Sequence, residues 1–262
     1  MPRFAANLSM LFTEVPLLDR FARAARAGFK AVEIQFPYEL PVEQLQQALW
    51  QNKLKLVLHN LPAGDWATGE RGIACHPDRI EEFRKGVDTA LTYAAALGSP
   101  QINCLAGIRP ADVTGQEARR VLIDNLRYAA TRLKAHGLKL LIEPVNTKDL
   151  PGFFLSGTQQ ALDLITEVGA DNLFLQYDVY HAQRMEGDLA NTLSAHIDRI
   201  AHIQIADNPG RHEPGTGEID YPFLFAHLDR IGYKGWIGCE YKPEAATEAG
   251  LGWLAPWLEH TQ

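Results

Sequence analysis

The sequence predicts an α/β protein folded as a single (β/α)8 barrel over residues 1–262, and three observations carry that expectation. Short apolar runs alternate with helix-patterned segments eight times, the rhythm of a parallel sheet with helical crossovers. Eight such units in 262 residues match the usual size of this barrel. Nearly every run ends on a polar or ionisable residue: Asn7, Glu33, His59, Asn103, Glu143, Asp178, Gln204 and Glu240. In a parallel barrel these ends share one rim, where active sites are built.

Phe4–Leu8 reads as the first strand, followed by a helix over Pro16–Ala27 that Gly28 stops as a C-cap. Ala31–Phe36 is the second strand. Pro41–Asn52 is helical, with Pro41 where its missing N–H costs nothing. Lys55–His59 is the third strand, and a Gly/Pro/Trp loop over Asn60–Pro77 leads to a helix over Asp78–Leu97. Gln101–Leu105 is the fourth strand. The spacing of Val121, Leu122, Leu126, Ala129 and Leu133 marks a helix over Gly115–His136. Leu138–Glu143, Asn172–Tyr177, Ile200–Ile205 and Trp236–Glu240 are strands five to eight. Helices over Thr158–Val168, Leu189–Ile197 and Tyr221–Ile231 lie between them, and a last helix is expected near the C-terminus. A doubly wound open sheet is the alternative. Against it, no G-x-G-x-x-G follows the first strand, and Gly215-Thr216-Gly217 lacks the third glycine.

Bulk properties narrow the function. The chain is 46% hydrophobic and 22% charged, an ordinary globular composition. A net charge of -7 argues against an extended nucleic-acid surface. Three cysteines without a C-x-x-C suit neither a disulfide framework nor a zinc knot, and fit reduced thiols in a cytoplasmic protein. No signal peptide is evident, and no run reaches the ~18 apolar residues of a membrane span. A homo-oligomer is compatible with all of this.

The chemistry concentrates in four oxygen carriers, Glu143, Asp178, Gln204 and Glu240, separated by about 35, 26 and 36 residues. These gaps are close to the ~30 residues of one strand-helix unit. Buried carboxylates are costly unless they hold a cation or move protons. Four oxygens suit a hard divalent ion, Mg2+ or Mn2+, whereas zinc more often recruits His or Cys. His181, three residues after Asp178, reaches the same rim to bind a substrate oxygen, or else is a solvent-facing loop histidine; His59 is similar. Arg211, in the polar loop Ala206–Asp220, can fork onto a carboxylate. Lys242 points to the same side as Glu240 and is either an anion anchor or an ion-pair partner. Glu70 and Arg71 either close over the site or form a surface ion pair. Cys239 points away from Glu240 and reads as packing.

These segments resemble the hydroxypyruvate isomerase family, within the xylose-isomerase-like TIM barrels, over essentially the whole chain. The carriers are Phe4–Phe12, His59–Trp66, Ile142–Asn146, Gln176–His181, the loop Ala206–Glu218, and Gly238-Cys239-Glu240-Tyr241-Lys242-Pro243. The resemblance implies that Glu143, Asp178, Gln204 and Glu240 bind one divalent ion and that Glu143 and Glu240 are the acid/base pair. Gln204 stands where many sugar epimerases carry His. The implied substrate is a small anionic hydroxy-keto acid, hydroxypyruvate, giving tartronate semialdehyde. A sister group acts on 2-oxo-tetronate. A lyase, a sugar-acid-binding barrel and a nucleic-acid phosphodiesterase are the rivals.

Overall fold

A computed structural model of the chain describes residues 1–258. Eight strands, β1 (Arg3–Asn7), β2 (Ala31–Ile34), β3 (Lys55–Asn60), β4 (Gln101–Cys104), β5 (Lys139–Ile142), β6 (Leu173–Asp178), β7 (Ile200–Ile205) and β8 (Trp236–Cys239), pair in sequence order. All pairings are parallel, and β8 closes onto β1. The predicted barrel is therefore the observed one. Residues 259–262 of the expected span lie outside the described residues.

The helices are α1 (Leu17–Arg26), α2 (Val42–Gln51), α3 (Ile80–Leu97), α4 (Gly115–Lys134), α5 (Thr158–Val168), α6 (Val179–Met185), α7 (Leu189–His196), α8 (Tyr221–Arg230) and α9 (Ala255–Leu258). Most bounds fall within a few residues of the sequence reading. The exception is α6, which starts directly after β6 where a loop was expected. Val179, Tyr180 and His181 are indifferent helix formers. The Asp178 side chain offsets this by capping the first turn, accepting from the N–H groups of Tyr180 at 2.8 Å and His181 at 3.1 Å. None of the described helices is long and apolar enough to cross a membrane. All three cysteines are buried and unpaired, with Cys239 in the core as expected.

Strand alternation separates two interiors. Phe4 packs edge-on against Phe225 of α8 at 5.0 Å, so it faces the helices, and Ala5 and Asn7, one and three residues on, face the barrel axis. Ala5, Ala31 and Val57 form a small apolar cluster of their own, next to Trp236. Beyond it the barrel interior is polar. His202 Nε2 lies 2.7 Å from Glu33 Oε2, and His202 Nδ1 lies 3.3 Å from Gln101 Nε2. Gly238 makes room for this pair, since a Cβ there would meet Glu33 Oε2 at 2.3 Å. A barrel filled only with branched apolar residues would leave the rim carboxylates without donors from beneath.

One irregularity redirects the site. The β2–β3 register skips Val57, pairing Val32 with Leu56 and Glu33 with Leu58. The extra residue on β3 is a bulge, and it reverses which side chains face inward beyond it.

Candidate active site

Two glutamates dominate the rim. Glu143 follows β5 directly, and its Oε2 accepts hydrogen bonds from Asn103 Nδ2 of β4 at 2.8 Å and Gln176 Nε2 of β6 at 3.0 Å. Glu240 follows β8, and its Oε2 accepts from Asn7 Nδ2 of β1 at 2.9 Å and Gln204 Nε2 of β7 at 2.7 Å. Each carboxylate is thus tethered through one oxygen by two carboxamides rising from the barrel. Glu240 Oε1 accepts from Arg211 Nη2 at 3.0 Å, whereas Glu143 Oε1 has no hydrogen-bond donor among the described residues. Gln176 Nε2 also donates to Gln204 Oε1 at 2.6 Å, so an unbroken amide chain joins Glu143 to Glu240.

Asp178 uses only one oxygen to cap α6. Its Oδ2 is buried without any hydrogen-bond partner. An ionised oxygen in that position costs several kcal/mol unless a cation meets it. The neighbouring carboxyls feel the same stress. Burial pushes Glu143 well above the usual carboxylate range, and the charges of Glu240 and Asp178 push it further. Burial raises Glu240 to about 8, although Arg211 pulls it down. A divalent cation would relieve all three. Ligand oxygens of Glu143 and Asp178 lie within 4.8 Å of each other, close enough to share one.

His181 itself is held in a defined state. Asn146 Oδ1 accepts from the N–H of Asp149 at 2.8 Å, which fixes its amide group. Asn146 Nδ2 therefore donates to His181 Nδ1, at 2.7 Å. Burial lowers the imidazole to about 4, so it is neutral and carries its proton on Nε2. That nitrogen lies 3.9 Å from both Glu143 Oε1 and Asp178 Oδ2. In this tautomer it offers a proton to an oxygen rather than a lone pair to a metal.

These groups open into a cavity of about 600 Å3 lined by Glu143, His181, Arg211, Glu240 and Lys242 from the predicted set. Trp66 forms part of its wall, packed on Phe36 with ring centroids 4.9 Å apart. Arg211 sits at a positive φ of 58°, in a loop that Asp207 ties together through the N–H groups of Asn208, Gly215 and Ile219. Its guanidinium lies 5.3 Å from the Tyr180 ring centroid, and its carbonyl accepts from the N–H of Lys242 at 2.8 Å. Asp178 and Gln204 lie buried beneath the rim.

One expectation needs revision. His59 does not face the cavity: the Val57 bulge turns it outward, fully buried, with Nδ1 3.2 Å from Ser99 Oγ and Nε2 3.3 Å from the Ala90 carbonyl of α3. Asn60 lines the cavity in its place. Gln204 has both ends of its amide engaged, by Gln176 on one side and by Glu33 and Glu240 on the other. Its Oε1 accepts one hydrogen bond, from Gln176, and its Nε2 donates to both glutamates. Two site residues had no assigned role in the sequence reading. Gln176 precedes Asp178 by two in the same strand, so period-two alternation already placed it on the same face. Asn146 carried no signal separable from an ordinary loop asparagine.

The barrel and its rim define a class of protein. A family model described as "Xylose isomerase-like TIM barrel" matches residues 21–257, and the chain belongs to that family. It is 57% identical to a hydroxypyruvate isomerase of Escherichia coli (strain K12), covering 98% of this chain and 100% of the relative. It is 50% identical to a 2-oxo-tetronate isomerase of Cupriavidus necator, covering 98% of this chain and 99% of the relative. A solved structure from Brucella melitensis, titled as an AP endonuclease of family 2, superposes with a TM-score of 0.96 at 46% identity, over 98% of this chain and 99% of that one.

Proposed function

We propose that the protein interconverts hydroxypyruvate and tartronate semialdehyde, with Glu143 and Glu240 moving the protons and Mg2+ or Mn2+ bound beside them. The observation that carries this reading is the paired tethering of two buried glutamates around one cavity. Each is held through Oε2 by two amides, and burial raises each above the usual carboxylate range. The identity to a relative bearing that activity in its name supports the substrate.

The reaction moves a carbonyl from C2 to C3. One glutamate takes a proton from C3, leaving an enediolate, and the other delivers a proton to C2; the roles exchange with direction. The hydroxyl proton passes from the C3 oxygen to the C2 oxygen. Carboxyls raised by burial suit this work, since they hold a proton more readily than exposed carboxylates do. His181 Nε2–H donates to a substrate oxygen. A divalent ion held by Glu143 and Asp178, with Gln204 and Glu240 completing the oxygen set, would supply positive charge against the developing enediolate. To join that set, Gln204 Oε1 must turn a lone pair to the ion beside the hydrogen bond it accepts from Gln176.

An NMR time course on hydroxypyruvate and on 2-oxo-tetronate, with Mn2+, with Mg2+ and with chelator, tests the proposal. Metal-dependent isomerisation with a higher kcat/KM for hydroxypyruvate is expected. One extra hydroxymethyl group discriminates by only ~1–3 kcal/mol, so both acids can turn over. A clear advantage for 2-oxo-tetronate overturns the substrate assignment, and no turnover of either overturns the isomerase reading.

A further inference from the structure

Four cationic side chains line the cavity: Arg71, Arg184, Arg211 and Lys242. Two are already committed to carboxylates. Arg211 Nη2 lies 3.0 Å from Glu240 Oε1, and Arg184 Nη1 lies 2.9 Å from Asp149 Oδ1. Arg71 and Lys242 make no ion pair among the described residues. Glu70, the acid adjacent to Arg71, is turned away to Arg79 and to the N–H of Asp65. The two expected roles of Glu70 and Arg71 therefore separate: the acid belongs to the surface, and the base to the cavity.

Arg71 is also held in place before any ligand arrives. Its Nη1 donates to the Trp66 carbonyl at 3.0 Å and the Glu70 carbonyl at 2.7 Å, and its guanidinium carbon lies 4.0 Å from the Trp66 ring centroid. Its Nε and Nη2 are engaged by no protein acceptor among the described residues. The chain beside it is pinned. Gly72 has φ +113° and lies so close to the loop after β4 that a Cβ would meet the Leu105 carbonyl at 2.5 Å. The guanidinium thus keeps an unengaged edge, on a fixed backbone, in the wall of a cavity that Glu143 and Glu240 also line.

We propose that Arg71 is the carboxylate anchor of the site, assisted by Lys242, and that it selects keto acids over uncharged ketoses. The inference rests on the isomerase reading for its substrate and deepens it. Charge matching favours it. With a divalent ion set against Glu143 and Asp178, and Arg184 and Arg211 paired, Arg71 and Lys242 are the positive charges left for a ligand carboxylate. Arginine also matches the planar two-oxygen geometry of a carboxylate better than lysine does. Arg211 is then left to the reacting oxygens, beside Glu240.

The test is calorimetric binding of D-glycerate, a carboxylate that cannot isomerise, to the Mn2+-loaded full chain and its Arg71→Gln and Arg71→Lys variants. A charged hydrogen bond of this kind contributes about 10- to 100-fold in affinity. Arg71→Gln should weaken D-glycerate binding by that factor, with partial recovery in Arg71→Lys. The kcat/KM ratio of hydroxypyruvate over dihydroxyacetone, its uncharged counterpart, should fall by a similar factor. Unchanged D-glycerate affinity in Arg71→Gln, absent binding in the unsubstituted protein, or an equal loss on both substrates overturns the anchor. The two readings fail separately. Arg71-dependent D-glycerate binding in a protein that isomerises neither keto acid would leave the anchor standing and remove the isomerase.

Discussion

Replacing Gln176 by leucine isolates the tether from the chemistry, because Gln176 does not line the cavity and touches the reaction only through Glu143 and Gln204. The change deletes a 3.0 Å hydrogen bond to a carboxylate oxygen and a 2.6 Å hydrogen bond to a buried amide oxygen. A hydrogen bond to a charged group contributes about 1.5–3 kcal/mol and a neutral one about 0.5–1.5 kcal/mol. Against that loss, Gln176 Oε1 is itself buried without a partner, and leucine removes that orphan. The change also leaves the buried Gln204 Oε1 without its donor, which offsets that relief, so the net destabilisation is about 2–4.5 kcal/mol. The kinetic effect is separate. Glu143 keeps only its Asn103 tether, and a misplacement of order 1 Å in a catalytic group costs about 100-fold. Urea denaturation measures the first quantity, and steady-state kinetics on hydroxypyruvate the second. A fall in kcat of about 10- to 100-fold with little change in KM is expected. A folded Gln176→Leu protein with kcat within about threefold of the parent would refute the argument that the amide chain positions Glu143.

Three further outcomes follow from the same geometry. Asn146→Asp places an acceptor against His181 Nδ1, drawing the proton there and baring the Nε2 lone pair. Activity should drop while Zn2+ affinity rises, and unchanged Zn2+ affinity by calorimetry would contradict the tautomer assignment. Asp178→Asn removes the orphaned anionic oxygen yet can keep the α6 cap, so Mn2+ affinity should fall by at least about tenfold with little loss of stability; Mn2+ titration followed by electron paramagnetic resonance checks this. For pH, the raised carboxyls and the lowered histidine act in opposite senses. Glu240 rises on folding from 4.5 to about 8, so the folded state binds more protons in that window and the metal-free protein should lose stability as pH climbs through it. His59 falls on folding from 6.5 to about 4, so stability should drop as pH descends through that lower window. Denaturation midpoints against pH, with and without Mn2+, test both: the ion should flatten the alkaline limb, and His59→Gln the acid limb.

The barrel was legible because its signal is redundant. Eight repetitions of run and helix, with polar strand ends in register, survive errors of a residue or two at any boundary. The rim carboxylates were legible for the same reason: Glu143 and Glu240 sit where their strands stop. His59 was not, because an inserted residue at Val57 leaves no mark in composition, yet it turns every later side chain of β3 over. The helix α6 escaped because its stability comes from one capping side chain rather than from the propensities of Val179, Tyr180 and His181. The freedom of Arg71 escaped because it depends on the direction Glu70 takes, and that is settled by Arg79 nine residues away in sequence. The state of His181 depends likewise on Asn146, on a different loop.

If two glutamates carry protons between C3 and C2, isomerisation of hydroxypyruvate in D2O must wash solvent hydrogen into the product. With Mn2+ present, the tartronate semialdehyde formed should carry solvent deuterium at C2, since the glutamate that protonates C2 exchanges with water before or between turnovers. Proton and deuterium NMR read this at a single carbon. Product with protium retained at C2 would mean that hydrogen crosses directly from C3, as in a hydride shift, and would contradict the assignment of Glu143 and Glu240 as an acid/base pair.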